Sequence, residues 1–256
     1  MNRASAFSAN YQSKTLFNMH LTISSSKEKL ADEFSFQFQE LIESREKVHV
    51  ALSGGSTPKV VFDYLAKNFA AKIDWSKVFF YWGDERCVPP TDSESNYKMT
   101  VDHLLSKIAI PAGNIFRIHG ENNPAEEAIR YGAVLDQQLP KSNDIPQFDL
   151  VMLGLGDDGH TASIFPASIQ LWDSSRNCEV ATHPDSGQKR ITITGKLINN
   201  AKRIAFLVTG ESKSEKVYEI VKQEGDFRSY PASLVNPATA DLIWFLDQKA
   251  AKKLYS

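Results

Sequence analysis

Six histidines are spread through the 256 residues, and His160 differs from the others in its surroundings. It ends the run Gly154-Leu155-Gly156-Asp157-Asp158-Gly159-His160, a glycine-rich loop that follows the apolar stretch Phe148–Leu153. Asp158, two residues away, can hold one imidazole nitrogen and leave the other free as a base. A solvated histidine near acids is the plain alternative. Gly154, Gly156 and Gly159 also match G-x-G-x-x-G in form. A dinucleotide fingerprint needs that loop to open a long helix. Pro166 follows too soon for that, and two carboxylates would crowd a pyrophosphate, so a nicotinamide-dependent dehydrogenase is disfavoured.

Anion-binding chemistry is spelled out elsewhere. Ser53-Gly54-Gly55-Ser56-Thr57-Pro58 joins a Val-rich run to a helical pattern. Its glycines allow a sharp turn, its serines add hydroxyl donors, and a helix N-terminus attracts a phosphate. Thr57 is expected to cap the helix and Pro58 to start it. A tight strand-to-helix turn with no ligand is the bland reading. The segment is not a Walker A loop, because no Gly-Lys-Ser/Thr follows. Arg86, in Gly83-Asp84-Glu85-Arg86-Cys87, offers a planar fork for a phosphate or a developing oxyanion. Asn96 follows and is placed to bind sugar hydroxyls. Cys87 reads as a packed, inert thiol. Arg190 opens the run RITIT, and Lys213 lies in Gly210-Glu211-Ser212-Lys213 before a helix. Each can point at a phosphate; a salt bridge and a solvated lysine are the respective alternatives. Metal-ligand spacing and a G-x-S-x-G nucleophile are both missing from the sequence, so a metal site and an α/β-hydrolase triad are both unsupported. No cofactor is expected.

The elements that must position these residues alternate. Strands are expected at His20–Ile23, Lys47–Leu52, Val78–Trp82, Ile115–Ile118, Phe148–Leu153, Glu179–Thr182, Arg190–Thr194, Ile204–Val208 and Asp241–Leu246. Helical periodicity covers Ser26–Glu43, Pro58–Asn68, Asn96–Ser106, the segment opened by Asn123-Pro124, and Ser212–Lys222. The helix after Asn123 is expected to bury Ala125, Ala128, Gly132, Leu135 and Leu139. Short apolar strands alternating with helices predict an α/β fold: a doubly wound, mostly parallel, Rossmann-like sheet with helices on both faces, with room for an inserted lobe. Ligands bind such sheets at the carboxyl ends of strands. The loops after Leu52, Trp82, Leu153, Thr182 and Val208 are therefore expected to converge. Motifs from both halves are needed for one site, so residues 19–256 read as a single domain. Residues 1–18 read as an extension, either a disordered lead-in or sequence upstream of a start at Met19.

Composition narrows the class. With 29 Lys+Arg against 31 Asp+Glu, the net charge is −2, without the basic excess of a general nucleic-acid binder. Two cysteines make no disulfide framework and fit a reducing compartment. No apolar run approaches the ~18 residues of a membrane span. The first residues lack a signal-peptide core, so a cytoplasmic location is expected. Nothing in the sequence encodes a partner protein.

Taken together, LSGGSTP (Leu52–Pro58), WGDERCVPPTDSESNY (Trp82–Tyr97), LGLGDDGHTASIFP (Leu153–Pro166), RITIT (Arg190–Thr194) and VTGESK (Val208–Lys213) resemble the 6-phosphogluconolactonase family. PASLVNP (Pro231–Pro237) and DLIWFLDQKAA (Asp241–Ala251) fit as well. The resemblance runs from about Met19 to the C-terminus. It implies a glucosamine-6-phosphate deaminase-like fold and hydrolysis of 6-phosphoglucono-δ-lactone to 6-phosphogluconate, a step of the oxidative pentose phosphate pathway. His160 would be the base, Asp158 its orienting partner, and Arg86 a stabiliser of the oxyanion or a phosphate oxygen. Ser53, Gly54, Gly55, Ser56, Asn96, Arg190 and Lys213 would bind substrate. The related glucosamine-6-phosphate deaminases carry an Asn-Glu-Pro segment after this histidine; here Ser163-Ile164-Phe165-Pro166 has no carboxylate. A departure from the lactonase pattern is Ala167, where glycine is common. A non-catalytic sugar-phosphate-binding module is a further alternative.

Overall fold

The structure, a computed structural model, describes residues 19–237 and 241–255. The extension expected over residues 1–18 lies outside the described residues. Strand β1 (Met19–Ser24) leads through helix α1 (Lys27–Glu43) to β2 (Val48–Leu52), α2 (Ser56–Asn68) and β3 (Val78–Trp82). A short strand β4 (Asp84–Arg86) precedes α3 (Asn96–His103), β5 (Ile115–Phe116) and α4 (Pro124–Gln138). A small hairpin, β6 (Lys141–Ser142) and β7 (Ile145–Pro146), comes before β8 (Leu150–Leu153). Then follow β9 (Cys178–Thr182), β10 (Lys189–Ile193), α5 (Gly195–Asn199), β11 (Arg203–Val208), α6 (Ser214–Lys222) and β12 (Asp241–Asp247).

Local chemistry explains the boundaries. Ser26 caps α1 by accepting from the Lys29 N–H, and Leu30, Phe34, Phe38 and Leu41 are buried on one face. Asn123 caps α4 by accepting from Ala125 and Glu126 N–H, with Pro124 in the first turn. The α4 core face differs from the expected one. Ala128, Gly132 and Leu135 are buried, but Ala125 is exposed and Glu127 and Tyr131 take its place. Glu127 is buried because its carboxylate is fully engaged. It accepts from His119 N–H at 2.7 Å and pairs with Arg130 at 2.6 Å.

Seven parallel strands form the main sheet in the order β1-β12-β11-β8-β2-β3-β5. Every residue of β2 and β8 is buried, as strands covered on both faces require. From β2 the chain steps outward to β3 and β5; it then returns to β8 on the other side of β2 and steps to β11 and β12. Right-handed crossovers therefore place α1 to α3 on one face and α4 to α6 on the other. The winding reverses between β2 and β8, which makes their carboxyl ends the switch-point crevice.

Two further expectations need correction. The strands β9 and β10 leave the main sheet; with β4 they form a separate antiparallel sheet, ordered β4-β10-β9. The segment Asp84–Arg86 is therefore a strand, and its charges hid it, because it has no apolar alternation. The loop after Thr182 consequently does not line the crevice, and β10 itself supplies Arg190. In addition, α2 starts at Ser56 with Gly55 at the cap, so Thr57 sits inside the first turn and does not cap. Its hydroxyl instead meets that of Thr209 at 2.8 Å, tying the loop after β2 to the loop after β11.

Candidate active site

A cavity of about 250 Å³ opens at the carboxyl ends of β2, β8 and β11. Ser53, Gly54, Gly55, Ser56, Arg86, Asn96, His160, Arg190 and Lys213 all line it. Asp158 stands behind His160 and does not reach the cavity wall. The sequence reading missed several neighbours: Asp84, Asp157, Ala162 and Thr209 also line the space.

The His160 turn is held by its own backbone. Gly156 N–H donates to His160 O at 2.8 Å, and Gly159 N–H donates to Gly156 O at 3.1 Å. Asp158 Oδ1 lies 2.6 Å from His160 Nδ1 and also accepts from the His160 N–H at 3.1 Å. This arrangement fixes the ring and leaves Nε2 as the free nitrogen. Burial raises the Asp158 carboxyl, but the hydrogen bonds and charge of His160 outweigh it and hold Asp158 below its ordinary value. The imidazole packs on Phe165, with ring centroids 4.7 Å apart. No long helix follows the glycine run; a 3-10 stretch covers Pro166–Asp173, so the dinucleotide geometry is not built here. Ala162 has φ +48°, an uncommon backbone for a residue with a Cβ, and it sits on the cavity wall.

Two arginines sit side by side. Arg86 on β4 and Arg190 on β10 are register partners. Among the described residues, the Nε of each is buried without a hydrogen-bond partner. Arg86 donates from Nη1 to the Glu94 carbonyl. Arg190 lies over Phe165 at 5.5 Å, and its Nη1 reaches Ser163 Oγ at 3.5 Å. Burial lowers the Arg190 guanidinium from its ordinary value, Asp84 partly opposes that, and Arg86 adds to it. The pair is a partly buried, like-charged site with donors to spare, which an anion would relieve.

The acids in the crevice each have an occupation. Asp84 Oδ2 accepts from Ser163 Oγ at 2.5 Å, and its carbonyl accepts from Asn96 Nδ2 at 2.9 Å. Asn96 in turn lies on the backbone of Gly54, where an added Cβ would fall 1.9 Å from its Oδ1; only glycine fits there. Glu85 is 2% exposed and accepts from the N–H groups of Arg86, Asn96 and Tyr97 and from Ser95 Oγ. It thus anchors the start of α3 and orients Asn96. Burial nevertheless pushes its carboxyl above the ordinary value. Asp157 pairs with Lys213 at 2.7 Å. Cys87 is pushed up to about 11 by burial, with Glu85 and Glu127 adding to the effect, so it stays a neutral thiol. The one readable signal for Asp84 was its place at the end of a buried strand. Thr209 and Asp157 carried no signal, because their contacts arise only on folding.

A doubly wound α/β fold with a His–Asp pair and three cations around a switch-point crevice defines a protein built to bind and process a small anionic molecule. The model of the glucosamine-6-phosphate isomerases/6-phosphogluconolactonase family matches residues 23–244. The chain belongs to that family. It is 46% identical over 183 residues to a 6-phosphogluconolactonase of Treponema pallidum (strain Nichols), covering 72% of this chain and 76% of that one. It is 43% identical over 228 residues to a 6-phosphogluconolactonase of Haemophilus influenzae, covering 89% and 94% respectively. The solved structure of the Trypanosoma brucei 6-phosphogluconolactonase superposes with a TM-score of 0.82 at 27% identity, covering 93% of this chain and 99% of that one. Among the described residues, no helix is long and apolar enough to cross a membrane.

Proposed function

We propose that this chain hydrolyses 6-phosphoglucono-δ-lactone to 6-phosphogluconate in the pentose phosphate pathway, with His160 as general base. The observation that carries the mechanism is the 2.6 Å His160–Asp158 contact at a cavity shared with Arg86, Arg190 and Lys213. A lactone is an activated ester. It needs an activated water, charge stabilisation at the carbonyl oxygen and a grip on the phosphate. His160 Nε2 takes a proton from water as the water oxygen bonds to C1. The tetrahedral intermediate then collapses; the C1–ring-oxygen bond breaks, and the imidazolium returns its proton to the departing oxygen. Such base catalysis contributes roughly 10²–10⁴-fold. Asp158 keeps the ring oriented and stabilises its charged form.

The phosphate lies against Gly54, Gly55 and Ser56 at the N-terminus of α2, with Lys213 and Arg190 as counter-charges. Lys213 exchanges Asp157 for the phosphate. Arg190, half-buried and without a carboxylate ion pair among the described residues, gains most from a dianion. Arg86 then serves the carbonyl oxygen, where one such donor contributes about 3–4 kcal/mol. Ser53 and Asn96 meet the sugar hydroxyls. Residues 19–256 act as one unit in this scheme, since β2, β4, β8, β10 and β11 all contribute, and the unpaired cysteines suit work in the cytoplasm. A deaminase-type reaction would require a carboxylate after the histidine; Ile164 and Phe165 are both buried there. The test is lactone decay. Glucose 6-phosphate is oxidised enzymatically, purified protein is added, and decay is compared with the spontaneous rate. Acceleration with 6-phosphogluconate as product is expected; an unchanged rate overturns the proposal.

A further inference from the structure

The wall behind the His160 turn comes from a distant part of the chain. Tyr230 is 6% exposed and does not line the cavity. Its ring lies directly on Gly159, the residue before His160: a Cβ added there would meet the ring at 2.5 Å. Gly159 has φ +86°, so both the backbone and the space require glycine. Two residues past Tyr230, the Ala232 N–H donates to Gly159 O at 3.1 Å. The turn is thus gripped on its face and at its carbonyl.

The ring itself is locked from α6. The Tyr230 hydroxyl donates to Glu219 Oε2 at 2.7 Å and accepts from Lys216 Nζ. Lys216 also lies 4.2 Å from the ring centroid and pairs with Glu219 at 3.0 Å. Helix α6 therefore sets the ring, and the ring sets the turn. We propose that Tyr230 is a positioning residue for His160, keeping the imidazole where its free nitrogen can take a proton from water. The inference rests on the reading of His160 as the base.

Misplacing a catalytic group by about 1 Å can cost on the order of 100-fold. Tyr230→Leu is therefore expected to lower kcat about 10–100-fold with KM within about 3-fold. Tyr230→Phe keeps the wall but loses the lock, and is expected to lower kcat about 3–10-fold. In a His160→Ala background, either change should add little further loss, because both act through one group. Circular dichroism and thermal melts check that each variant is folded. If Tyr230→Leu does not fold, Tyr230→Phe decides. A folded Tyr230→Phe or Tyr230→Leu protein with wild-type kcat overturns the inference, as does a loss that is undiminished in the His160→Ala background. If His160→Ala itself keeps wild-type kcat, the base assignment fails instead, so the two failures are distinguishable.

Discussion

Arg86 and Arg190 face each other as register partners on neighbouring antiparallel strands, each with a buried Nε that has no partner among the described residues. Two like charges held side by side, each with a buried Nε, cost stability. The arrangement makes sense when an anion is the intended third member. Arg190→Met and Lys213→Met are both expected to raise KM at least about 10-fold, since each would remove a charge-assisted contact of about 1.5–3 kcal/mol to the phosphate. Arg86→Met is expected to lower kcat about 100-fold with a smaller change in KM. Steady-state kinetics with freshly made lactone reads the split. Inorganic phosphate should also raise the melting temperature of the wild type and do so less in Arg190→Met.

Asp158→Asn tests the orienting role. An amide can donate to Nδ1 and favour the wrong tautomer, so kcat is expected to fall about 100-fold or more with little change in KM. The pH sign is fixed by the lowered Asp158 carboxyl. The charged form is present above the ordinary value of 3.8 and is lost only as the pH falls through the lower folded value. Asp158 therefore adds no limb to the pH–rate profile above that value.

The buried cap of α3 makes a stability prediction. Glu85→Gln would set an amide NH2 against backbone N–H donors, at a cost of about 1–3 kcal/mol in urea unfolding. Because the folded Glu85 carboxyl is raised, wild-type stability falls as the pH rises from its ordinary value of 4.5 through the folded value. Glu85→Gln lacks that titration. The gap between the two proteins should narrow as the pH rises through this window.

The Cys87 thiol offers a chemical check. With a pKa pushed up to about 11, it is almost wholly protonated near neutrality, and the thiolate is the reactive form. Iodoacetamide at pH 8 should label native Cys87 far more slowly than the urea-unfolded chain, as mass spectrometry of peptides will show. Rapid labelling of the native protein would contradict its placement beside Glu85 and Glu127.

Much of the site was readable because its residues sit at strand ends. Buried β2, β3, β8 and β11 announce themselves as apolar runs, and the rule that ligands gather at carboxyl ends leads to Ser53, Arg86, His160 and Lys213. What failed to read was of another kind. Asp84–Arg86 is a strand whose side chains are charged, so periodicity gave no sign of the antiparallel lobe that pairs Arg86 with Arg190. Thr57 looked like a cap, yet its hydroxyl is spent on Thr209, 152 positions later in the chain. Glu127 was not among the residues expected on the core face of α4, and its burial depends on Arg130 and His119. The misses at Asp84–Arg86 and Thr57 involve polar groups whose partners are set by tertiary contact, which no local pattern records.

The central claim is that His160 is the base. It is tested most directly by comparing His160→Ala with wild type in the lactone-decay assay, with phosphate binding checked separately by thermal shift. The account predicts a kcat lowered at least about 100-fold and a phosphate-induced shift that is retained. A folded His160→Ala protein with wild-type kcat would contradict it.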